Sequence, residues 1–444
     1  MSAAESNPPF DSILIVGAGP SGLLLALLLA RQLPKIEITL VDANDGLDTR
    51  PRATHYGPPA AYELRRAGII EDVKSQGFIP KKVCWRKLDG TYLAGLDGSV
   101  MEGITEDRLV CLPLDRLGKI LVDHLKSHPN VSIKWGHNVT GLGEDAERSK
   151  AWVDVDIKDQ SSTRRFEADY VVGCDGANSQ VRRTLFGDLN FPGRTWDEQV
   201  VATNVYYDFD KFGYEDSQFH IHPEHWYMAA RITRDGMWRV SYGELVGLSP
   251  EELIARQPTK YEVMLPGHPK PHEYRITNIG PYKIHQRCAE KMRVGRFLLA
   301  ADAAHLCNPF GGLGLTGGIC DIGSLHDCLI AMYEGKADDS ILDVYDEVRR
   351  QKWRELIDPI SSDNIRRLFG QDPEVALEND EFLKMCKRTE IDIEFARQVQ
   401  SGMDALRYDF TPHFKENVTR GPHVEQAVKG EAHIAVGAVS GVID

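Results

Sequence analysis

The segment from Ile13 to Asp42 constrains the fold of this chain more than any other. An apolar run from Ile13 to Val16 leads into the turn Gly17-Ala18-Gly19-Pro20-Ser21-Gly22, and a second apolar run ends at Asp42. This order predicts a strand, a glycine turn, a helix and a second strand, because glycines permit a sharp turn and a helix N-terminus presents unpaired N–H groups to a phosphate. The acidic residue follows the last glycine by about 20 residues, the spacing of a carboxylate that binds a ribose hydroxyl. We therefore predict a dinucleotide site whose phosphate-binding turn contains Gly17, Gly19 and Gly22.

The bulk properties fit a soluble globular protein. The apolar helix at Leu23 to Ala30 is too short to span a membrane, which takes about 20 apolar residues. Of the 444 residues, 27% are charged and the net charge is -14, which argues against a nucleic-acid partner. The N-terminus lacks the pattern of a secretory signal, and the eight cysteines show no Cys-x-x-Cys pairing. We expect a cytoplasmic protein with no membrane partner and no zinc site.

Two further motifs follow buried apolar runs. The run from Phe166 to Cys174 leads into Asp175-Gly176, and the run from Arg296 to Ala301 leads into Asp302. The second of these continues into a Pro309 to Gly314 loop and a helix predicted from Thr316 to Tyr333. Asp-Gly is a common turn by itself. Three such elements in this order are far more specific than any one of them.

The middle of the chain has a different residue pattern from the segments around it. Residues 200–244 alternate between polar and apolar side chains and are rich in Tyr, Phe, Trp and Val, which predicts an antiparallel sheet. Asp235-Gly236 predicts the turn of a hairpin whose strands are residues 226–233 and 237–244. Helices are predicted at 114–126, 341–356 and 378–397, and residues 418–444 show no assignable pattern.

The three motifs together resemble those of the FAD-dependent aromatic hydroxylases, the class A flavoprotein monooxygenases. The resemblance covers roughly the first 350 residues. It implies an α/β fold: a Rossmann-type FAD-binding domain, an inserted antiparallel β-sheet domain for the substrate, and C-terminal helices. The implied FAD-binding segments are 1–80, 103–185 and 275–360, the substrate sheet comprises 81–102 and 186–274, and the helical region is 361–444.

The resemblance also assigns the cofactor contacts. Asp42 would hold the adenosine ribose, Arg52 and Arg116 would contact the cofactor, and Asp302 would bind the ribityl chain. Two positions depart from the family pattern, because Ala301 replaces the usual glycine and Asp42 replaces the more frequent Glu. The remaining implied FAD contacts are Asp175, Pro309, Gly312, Gly314 and Leu315.

A second G-x-G-x-x-G lies at Gly312 to Gly317. No βαβ unit follows it, so we do not interpret it as a separate NADPH domain. A helix N-terminus stabilises negative charge, and this loop is therefore expected to lie against the flavin ring.

By the same resemblance, NADPH or NADH reduces the flavin and O2 adds to form a C4a-hydroperoxide, which hydroxylates a phenolic or polyketide-like aromatic substrate. Such chemistry calls for a general base beside the flavin. We expect His55 to be that base, because an imidazole titrates near neutral pH and His55 shares a loop with Arg52. Arg239 and Tyr242 of the hairpin are expected to orient or deprotonate the phenolic oxygen. His220 and His222 have no third ligand at a recognisable spacing, so no metal site is predicted.

Other functions stay open at this point. The same fold with the same flavin chemistry also serves epoxidation and Baeyer-Villiger oxidation of non-phenolic substrates. A non-redox binding protein of this fold is the alternative outside enzymes, and the Pro309 to Gly317 loop speaks against it. The C-terminal tail could form a homodimer contact.

Overall fold

A computed structural model describes residues 9–145, 147–160 and 162–415, and these form nineteen strands and twelve α-helices. The strands are β1 (Ser12–Val16), β2 (Glu37–Val41), β3 (His55–Tyr56), β4 (Lys82–Lys87), β5 (Tyr92–Asp97), β6 (Val110–Cys111), β7 (Val131–Lys134), β8 (His137–Asp145), β9 (Lys150–Ile157), β10 (Thr163–Ala168), β11 (Tyr170–Gly173), β12 (Gly193–Tyr206), β13 (Ser217–Ile221), β14 (Tyr227–Arg231), β15 (Met237–Glu244), β16 (Arg275–Cys288), β17 (Arg293–Val294), β18 (Phe297–Leu299) and β19 (His305–Leu306). The α-helices are α1 (Pro20–Gln32), α2 (Pro58–Arg66), α3 (Ile70–Gln76), α4 (Leu114–Leu125), α5 (Gln180–Phe186), α6 (Pro250–Met264), α7 (Leu313–Tyr333), α8 (Ile341–Lys352), α9 (Asp358–Phe369), α10 (Ala376–Asn379), α11 (Glu381–Thr389) and α12 (Ile393–Ser401).

One of the two large sheets has six strands, in the order β17-β18-β11-β1-β2-β7. Strand β1 pairs in parallel with β2 on one side and with β11 on the other. Helix α1 connects β1 to β2 and is buried along its whole middle, from Gly22 to Ala30. A helix that is apolar all round belongs in a protein core. The predicted Rossmann-type unit is therefore confirmed, with α1 as a core helix.

The other large sheet has eight strands, in the order β19-β16-β12-β15-β14-β13-β4-β5. Its strands are antiparallel except for the pair β13 and β4. The hairpin predicted around Asp235-Gly236 is confirmed as β14 and β15. Strand β16 pairs with β12 from Arg275 to Arg287, so the sheet continues well past residue 274, where the sequence placed its end.

Acidic side chains account for two differences between predicted and observed elements. The run at 166–174 forms two strands in different sheets, because Asp169 leaves the ladder and accepts hydrogen bonds from the N–H groups of Asp11 and Ser12. The helix predicted at 378–397 is divided among α10, α11 and α12. Asp380 and Asp392 cap the last two by accepting from backbone N–H groups.

The C-terminal part of the described chain is helical, as predicted. Helix α8 continues through a π-helical segment, Trp353–Ile357, directly into α9. The prediction for residues 418–444 lies outside the described residues. No helix in the described part of the chain combines the length and the apolar character that a bilayer crossing demands.

Candidate active site

A cavity of about 1890 Å³ lies between the two large sheets. Its walls include the residues that follow the C-terminal ends of β1, β2 and β11, which is where open parallel sheets bind their ligands. The opposite wall is one face of the eight-stranded sheet. All three sequence motifs border this one cavity.

The first motif shapes the turn before α1. Gly17 has φ +102, and a Cβ there would come within 2.8 Å of the Cα of Asp175. A Cβ on Gly22 would overlap the carbonyl oxygen of Gly17, whereas a Cβ on Gly19 would meet no atom of the described residues within 4 Å. Two of the glycines are thus needed for packing, and Gly19 leaves open space towards the cavity.

The N-terminus of α1 is free to receive an anion. No side chain caps the helix at Gly19, and no acidic residue lies in its first turn. The unpaired N–H groups and the positive end of the helix dipole therefore face a space bordered by Gly19, Pro20 and Ser21. These features fit the pyrophosphate of a dinucleotide.

Asp42 lies beside this turn and borders the cavity. Its Oδ2 accepts from the N–H of Ala18 at 2.8 Å, and its Oδ1 accepts from the N–H and the side-chain amide of Asn44, both at 2.8 Å. The carboxylate is thus fixed in orientation by the glycine turn. Its contact with an adenosine ribose stays a prediction.

The second motif is organised by its own side chains. Asp175 accepts from the Ser179 hydroxyl at 2.5 Å and from the N–H groups of Gln180 and Val181 at 2.6 and 3.1 Å, so it holds the first turn of α5. Burial raises the pKa of this carboxyl. Its contact with FAD remains predicted.

Arg182 joins the second motif to the third, a role that the sequence analysis missed. This buried guanidinium donates to the carbonyl of Ala177 at 2.8 Å and to that of Ala303 at 2.9 Å. Its position next to the Asp-Gly motif in sequence was the signal that could have indicated this bridge.

The third motif begins with a residue in an unusual conformation. Ala301 has φ +57, in the left-handed region that favours glycine. Its N–H donates to Asp321 at 2.9 Å. Asp302 follows in a short 3-10 turn, with its side chain open to the cavity, and the surrounding protein raises its pKa by burial.

We expect Ala301→Gly to raise the free energy of unfolding by about 0.5–1 kcal/mol. Holding an L-residue in the left-handed region destabilises the folded protein by about 1–2 kcal/mol. Glycine removes this strain but loses more conformational entropy on folding, about 0.5–1 kcal/mol, so the net gain is smaller. Denaturant unfolding measures the change. Ala300, which is buried and extended at φ -146, is the matched control. Ala300→Gly should lower the stability, and a loss of stability in both variants would contradict the strain at Ala301.

Asp321 lies beneath this turn at the centre of a buried network. Its Oδ2 also accepts from Nε2 of His305 at 2.7 Å, and its Oδ1 accepts from Nε of Arg349 at 2.6 Å. All three side chains are at most 2% exposed. Burial alone would raise the pKa of Asp321, but the charges of His305 and Arg349 hold it below its ordinary value.

Helix α7 begins at Leu313, three residues earlier than predicted, so Gly314 and Leu315 lie in its first turn. Gly312 precedes it at φ +63, and a Cβ there would meet nothing within 4 Å in the part of the chain that the structure describes. The helix has neither a side-chain cap nor an acidic residue in its first turn. Pro309, Gly312, Gly314 and Leu315 line the cavity, and the unpaired N–H groups and positive end of α7 begin there, as an electron-rich ring would require.

The two arginines expected at the cofactor differ in placement. Arg52 borders the cavity and pairs with Asp48 at 3.3 Å. Arg116 is exposed and is not part of the cavity wall, which α4 supplies through Leu114, Asp115 and Gly118. Because successive helical residues are about 100° apart, Arg116 projects from another side of α4. The structure therefore does not bring Arg116 to the site.

His55 borders the cavity on the short strand β3. Its Nδ1 lies 2.9 Å from the Thr54 hydroxyl, and its Nε2 is buried with no hydrogen-bond partner in the described part of the chain. Burial, reinforced by the positive charge of Arg239, lowers the pKa of His55 to about 4. The imidazole is thus neutral near pH 7.

Arg239 and Tyr242 lie on opposite faces of β15. Side chains alternate along a strand, so residues three apart cannot share a face. Arg239 and Ser241 line the cavity, whereas Tyr242 is completely buried on the far side, with its ring centroid 6.2 Å from that of Tyr261. The structure does not bring Tyr242 to the cavity.

Arg239 is held in place from two directions. Its Nε donates to Oδ1 of Asn204 at 3.1 Å, and its Nη1 donates to the carbonyl of Arg52. This second bond joins the sheet to the loop that carries His55.

Tyr282 is a site residue that the sequence analysis missed. It lies on β16, is 37% exposed, and its open surface faces the cavity. Burial within the protein raises the pKa of its hydroxyl to about 12, although Arg239 acts in the opposite direction. All residues from 278 to 285 border the cavity, so alternation along the strand does not single out Tyr282, and its place follows from the pairing of β16 with β12.

The two histidines considered as metal ligands lie apart from this site. His220 is fully buried, stacked on Tyr227 with a centroid distance of 4.1 Å. Nδ1 of His222 accepts from the N–H groups of Glu224 and His225. Within residues 9–145, 147–160 and 162–415, no group of three potential ligands is arranged around a metal position.

Comparison with known proteins agrees with this geometry. Residues 11–359 match the protein family described as FAD binding domain. The chain is 36% identical over 375 residues to para-nitrophenol 4-monooxygenase of Pseudomonas sp. (strain WBC-3), covering 84% of this chain and 91% of that protein. It is also 36% identical over 363 residues to 6-hydroxy-3-succinoylpyridine 3-monooxygenase HspB of Pseudomonas putida (strain DSM 28022 / S16), covering 81% and 90% of the two chains.

Solved structures show the same fold. The crystal structure of p-nitrophenol 4-monooxygenase PnpA from Pseudomonas putida DLL-E4 superposes with a TM-score of 0.82 at 32% identity, covering 89% of this chain and 98% of that one. The ternary complex of aklavinone-11 hydroxylase with FAD and aklavinone gives a TM-score of 0.70 at 23% identity, covering 84% and 71%, and supports the fold alone.

Proposed function

The chain belongs to the family of FAD-dependent aromatic hydroxylases, and we propose that it hydroxylates a phenolic compound with NAD(P)H as reductant and O2 as co-substrate. The single observation that carries this proposal is the shared cavity, in which the three motifs meet a sheet face with Arg239, Tyr282 and the nearby His55. Among its relatives, one is named for p-nitrophenol and another for a hydroxypyridine. A hydroxyl group on an aromatic ring is the chemistry that these names share.

The residues at one end of the cavity fit FAD. The space at Gly19 and the free N-terminus of α1 would receive the pyrophosphate, and Asp42 would hold the ribose. Asp302 would bind the ribityl chain, and the start of α7 would lie against the flavin ring. Bound FAD, once reduced by NAD(P)H, supplies the activation of O2 for transfer to the aromatic ring.

The residues at the other end would act on the substrate. We propose that His55 is the general base for the phenolic proton, because its imidazole is neutral and no residue of the described chain hydrogen-bonds to its Nε2. Arg239 would orient the oxygen from the sheet. The apolar part of the wall, with Phe219, Met228 and Trp85, would hold the ring and exclude water.

We expect Asp302→Ala to be purified with little FAD and to bind added FAD at least about tenfold more weakly, because a charged acceptor to the cofactor is lost. Flavin fluorescence titration measures the affinity. Asp188→Ala, at a site where the side chain is 81% exposed, is the control. Full FAD occupancy in the Asp302 variant would mean that the assignment of this residue is incorrect.

Reconstitution tests the proposed function directly. The protein is loaded with FAD, and consumption of NADH and NADPH is followed with and without each member of a panel of phenols. We expect aromatic-dependent consumption and a product one oxygen heavier that keeps its aromatic ring. A product with an inserted ring oxygen or an epoxide would instead identify the related oxidations. Consumption that no phenol stimulates would contradict the proposal.

Three further assignments stay proposals. The first is the division into a discontinuous FAD-binding part, a substrate sheet and a helical region. The second is a homodimer, which light scattering would detect. The third is a cytoplasmic location, which cell fractionation would test.

A further inference from the structure

Thr316 lies between two parts of the cavity wall without belonging to the wall itself. Its side chain is fully buried at the start of α7, and its neighbours Gly57 and Gly312 both border the cavity. Gly57 directly follows the short strand β3, which carries His55. Gly312 ends the loop that is expected to lie against the flavin ring. Thr316 therefore connects the segment of the proposed base with the loop proposed for the cofactor.

The hydroxyl of Thr316 forms hydrogen bonds in two directions. It accepts from the N–H of Gly57 at 3.0 Å and donates to the carbonyl of Gly312 at 3.2 Å. A hydroxyl has one hydrogen to donate, so the bond to Gly312 orients that hydrogen and leaves a lone pair for Gly57. Within the part of the chain that the structure describes, no other hydrogen bond joins residues 50–57 to residues 309–318. One hydroxyl thus supplies the polar link between the two segments.

The packing around Gly57 shows how closely the two segments approach. A Cβ at this position would lie 3.1 Å from Oγ1 of Thr316 and 2.8 Å from Cε of Met403. The N–H of a helix N-cap residue can be satisfied by a Glu or Gln at the third helical position. In α2 that position is Ala60, whose side chain accepts no hydrogen bond, so the buried N–H of Gly57 depends on Thr316.

We propose that Thr316 is a positioning residue, whose hydroxyl fixes residues 55–57 against the start of α7 and so sets the place of His55 relative to the flavin ring. The inference rests on the proposed function and adds to it a residue that acts through others. Strand β3 has only two residues and pairs with the equally short β6 in a two-stranded sheet, so it has little support of its own. A displacement of about 1 Å between reacting groups can lower a rate about 10²-fold.

Displacement of the base should lower the yield of product per NAD(P)H oxidised. In the coupled reaction, NAD(P)H, H⁺, O2 and the phenol give NAD(P)⁺, water and the hydroxylated phenol. In the uncoupled reaction, NAD(P)H, H⁺ and O2 give NAD(P)⁺ and H2O2. Both reactions oxidise the same amount of NAD(P)H, so the share that appears as H2O2 measures how often oxygen transfer to the ring does not occur.

The first measurement is amide hydrogen exchange of the FAD-loaded protein. Pro58 and Pro59 carry no N–H, so fragments that end at residue 56 and at residue 59 differ by the amide of Gly57 alone. We expect slow exchange at Gly57 in the wild type and exchange at least about tenfold faster in Thr316→Val, which has no acceptor. Thr316→Ser keeps the hydroxyl and should exchange as the wild type does.

The second measurement is the amount of product and of H2O2 formed per NAD(P)H, together with the affinity for FAD. We expect Thr316→Val to form at least about tenfold less product and more H2O2, and Thr316→Ser to restore most of the product. FAD affinity should change little, whereas a merely structural role would lower it as well. Thr184→Val is the matched control, because Thr184 is exposed on α5 and also donates to the carbonyl four residues before it.

The outcomes separate this inference from the proposed function. Rapid exchange at Gly57 in the wild type would refute the inference even if Thr316→Val does not fold, and equal losses in Thr316→Val and Thr316→Ser would exclude the hydroxyl as the cause. Faster exchange in Thr316→Val without a change in product yield would show that the bond does not position the base. A wild type in which no phenol stimulates NAD(P)H oxidation would instead refute the proposed function, and the exchange rates would still decide whether Thr316 holds the two segments together.

Discussion

Asp321→Asn is expected to lower the free energy of unfolding by about 3–5 kcal/mol, the cost of removing one partner from a buried ion pair. The asparagine side chain has nearly the same shape, so the change removes charge and little volume. Arg349 would then lie buried without its counter-ion, since its other acceptors are the carbonyls of Leu406 and Gly317. Denaturant unfolding of the purified protein measures the loss.

The same variant should also retain less FAD. Asp321 holds the N–H of Ala301 in a strained turn, and Asp302 is the next residue. Glu215→Gln is the control, because it removes an ion pair to Lys82 at the surface, for which about 0–1 kcal/mol is expected. Equal stability of the two variants would show that the network beneath the turn has no special role.

His55→Ala is expected to reduce phenol-dependent turnover by about 10²- to 10⁴-fold, the usual contribution of a general base. FAD content should stay at the wild-type level, because no predicted FAD contact involves this side chain. The rate of NAD(P)H oxidation is measured together with the amount of product, so that uncoupled oxidation is recognised separately. His272→Ala, an exposed histidine, is the control.

Three results are possible for His55. Loss of product formation with retained FAD would support the assignment of His55 as the general base. Loss of FAD together with turnover would indicate a structural role for the loop instead. Unchanged product formation would remove His55 from the mechanism altogether.

The sequence largely predicted which residues meet at the end of the cavity that we propose for FAD. The glycine turn, Asp302 and the loop before α7 all border one cavity, since each motif is local and follows a buried strand. The conformation of Ala301 was not predictable, because its left-handed φ is fixed by a hydrogen bond to Asp321, twenty residues away.

The substrate half was harder to predict because its residues come from different strands. Strand alternation alone shows that Arg239 and Tyr242 cannot face the same cavity, so this error was avoidable. The omission of Tyr282 from the predicted site could not have been avoided in the same way. Its position depends on the pairing of β16 with β12, a contact between residues about 80 apart in sequence, and a single sequence does not show such pairing.

The order of strands in the two sheets has a consequence for how the chain folds as it leaves the ribosome. Strand β1 cannot complete its pairing until β11 has been synthesised, and β11 cannot complete its own until β18 has. The hairpin of β4 and β5 likewise lacks its neighbouring strand until β13 has been synthesised. Dividing the chain at any point between Val41 and Phe297 would separate strands that pair with each other. Neither of the two resulting fragments could therefore complete its sheets alone. Folding through such distant pairings is slow and leaves strand edges exposed in the meantime. The nascent protein therefore depends most on protection from aggregation until about the first 300 residues have been synthesised.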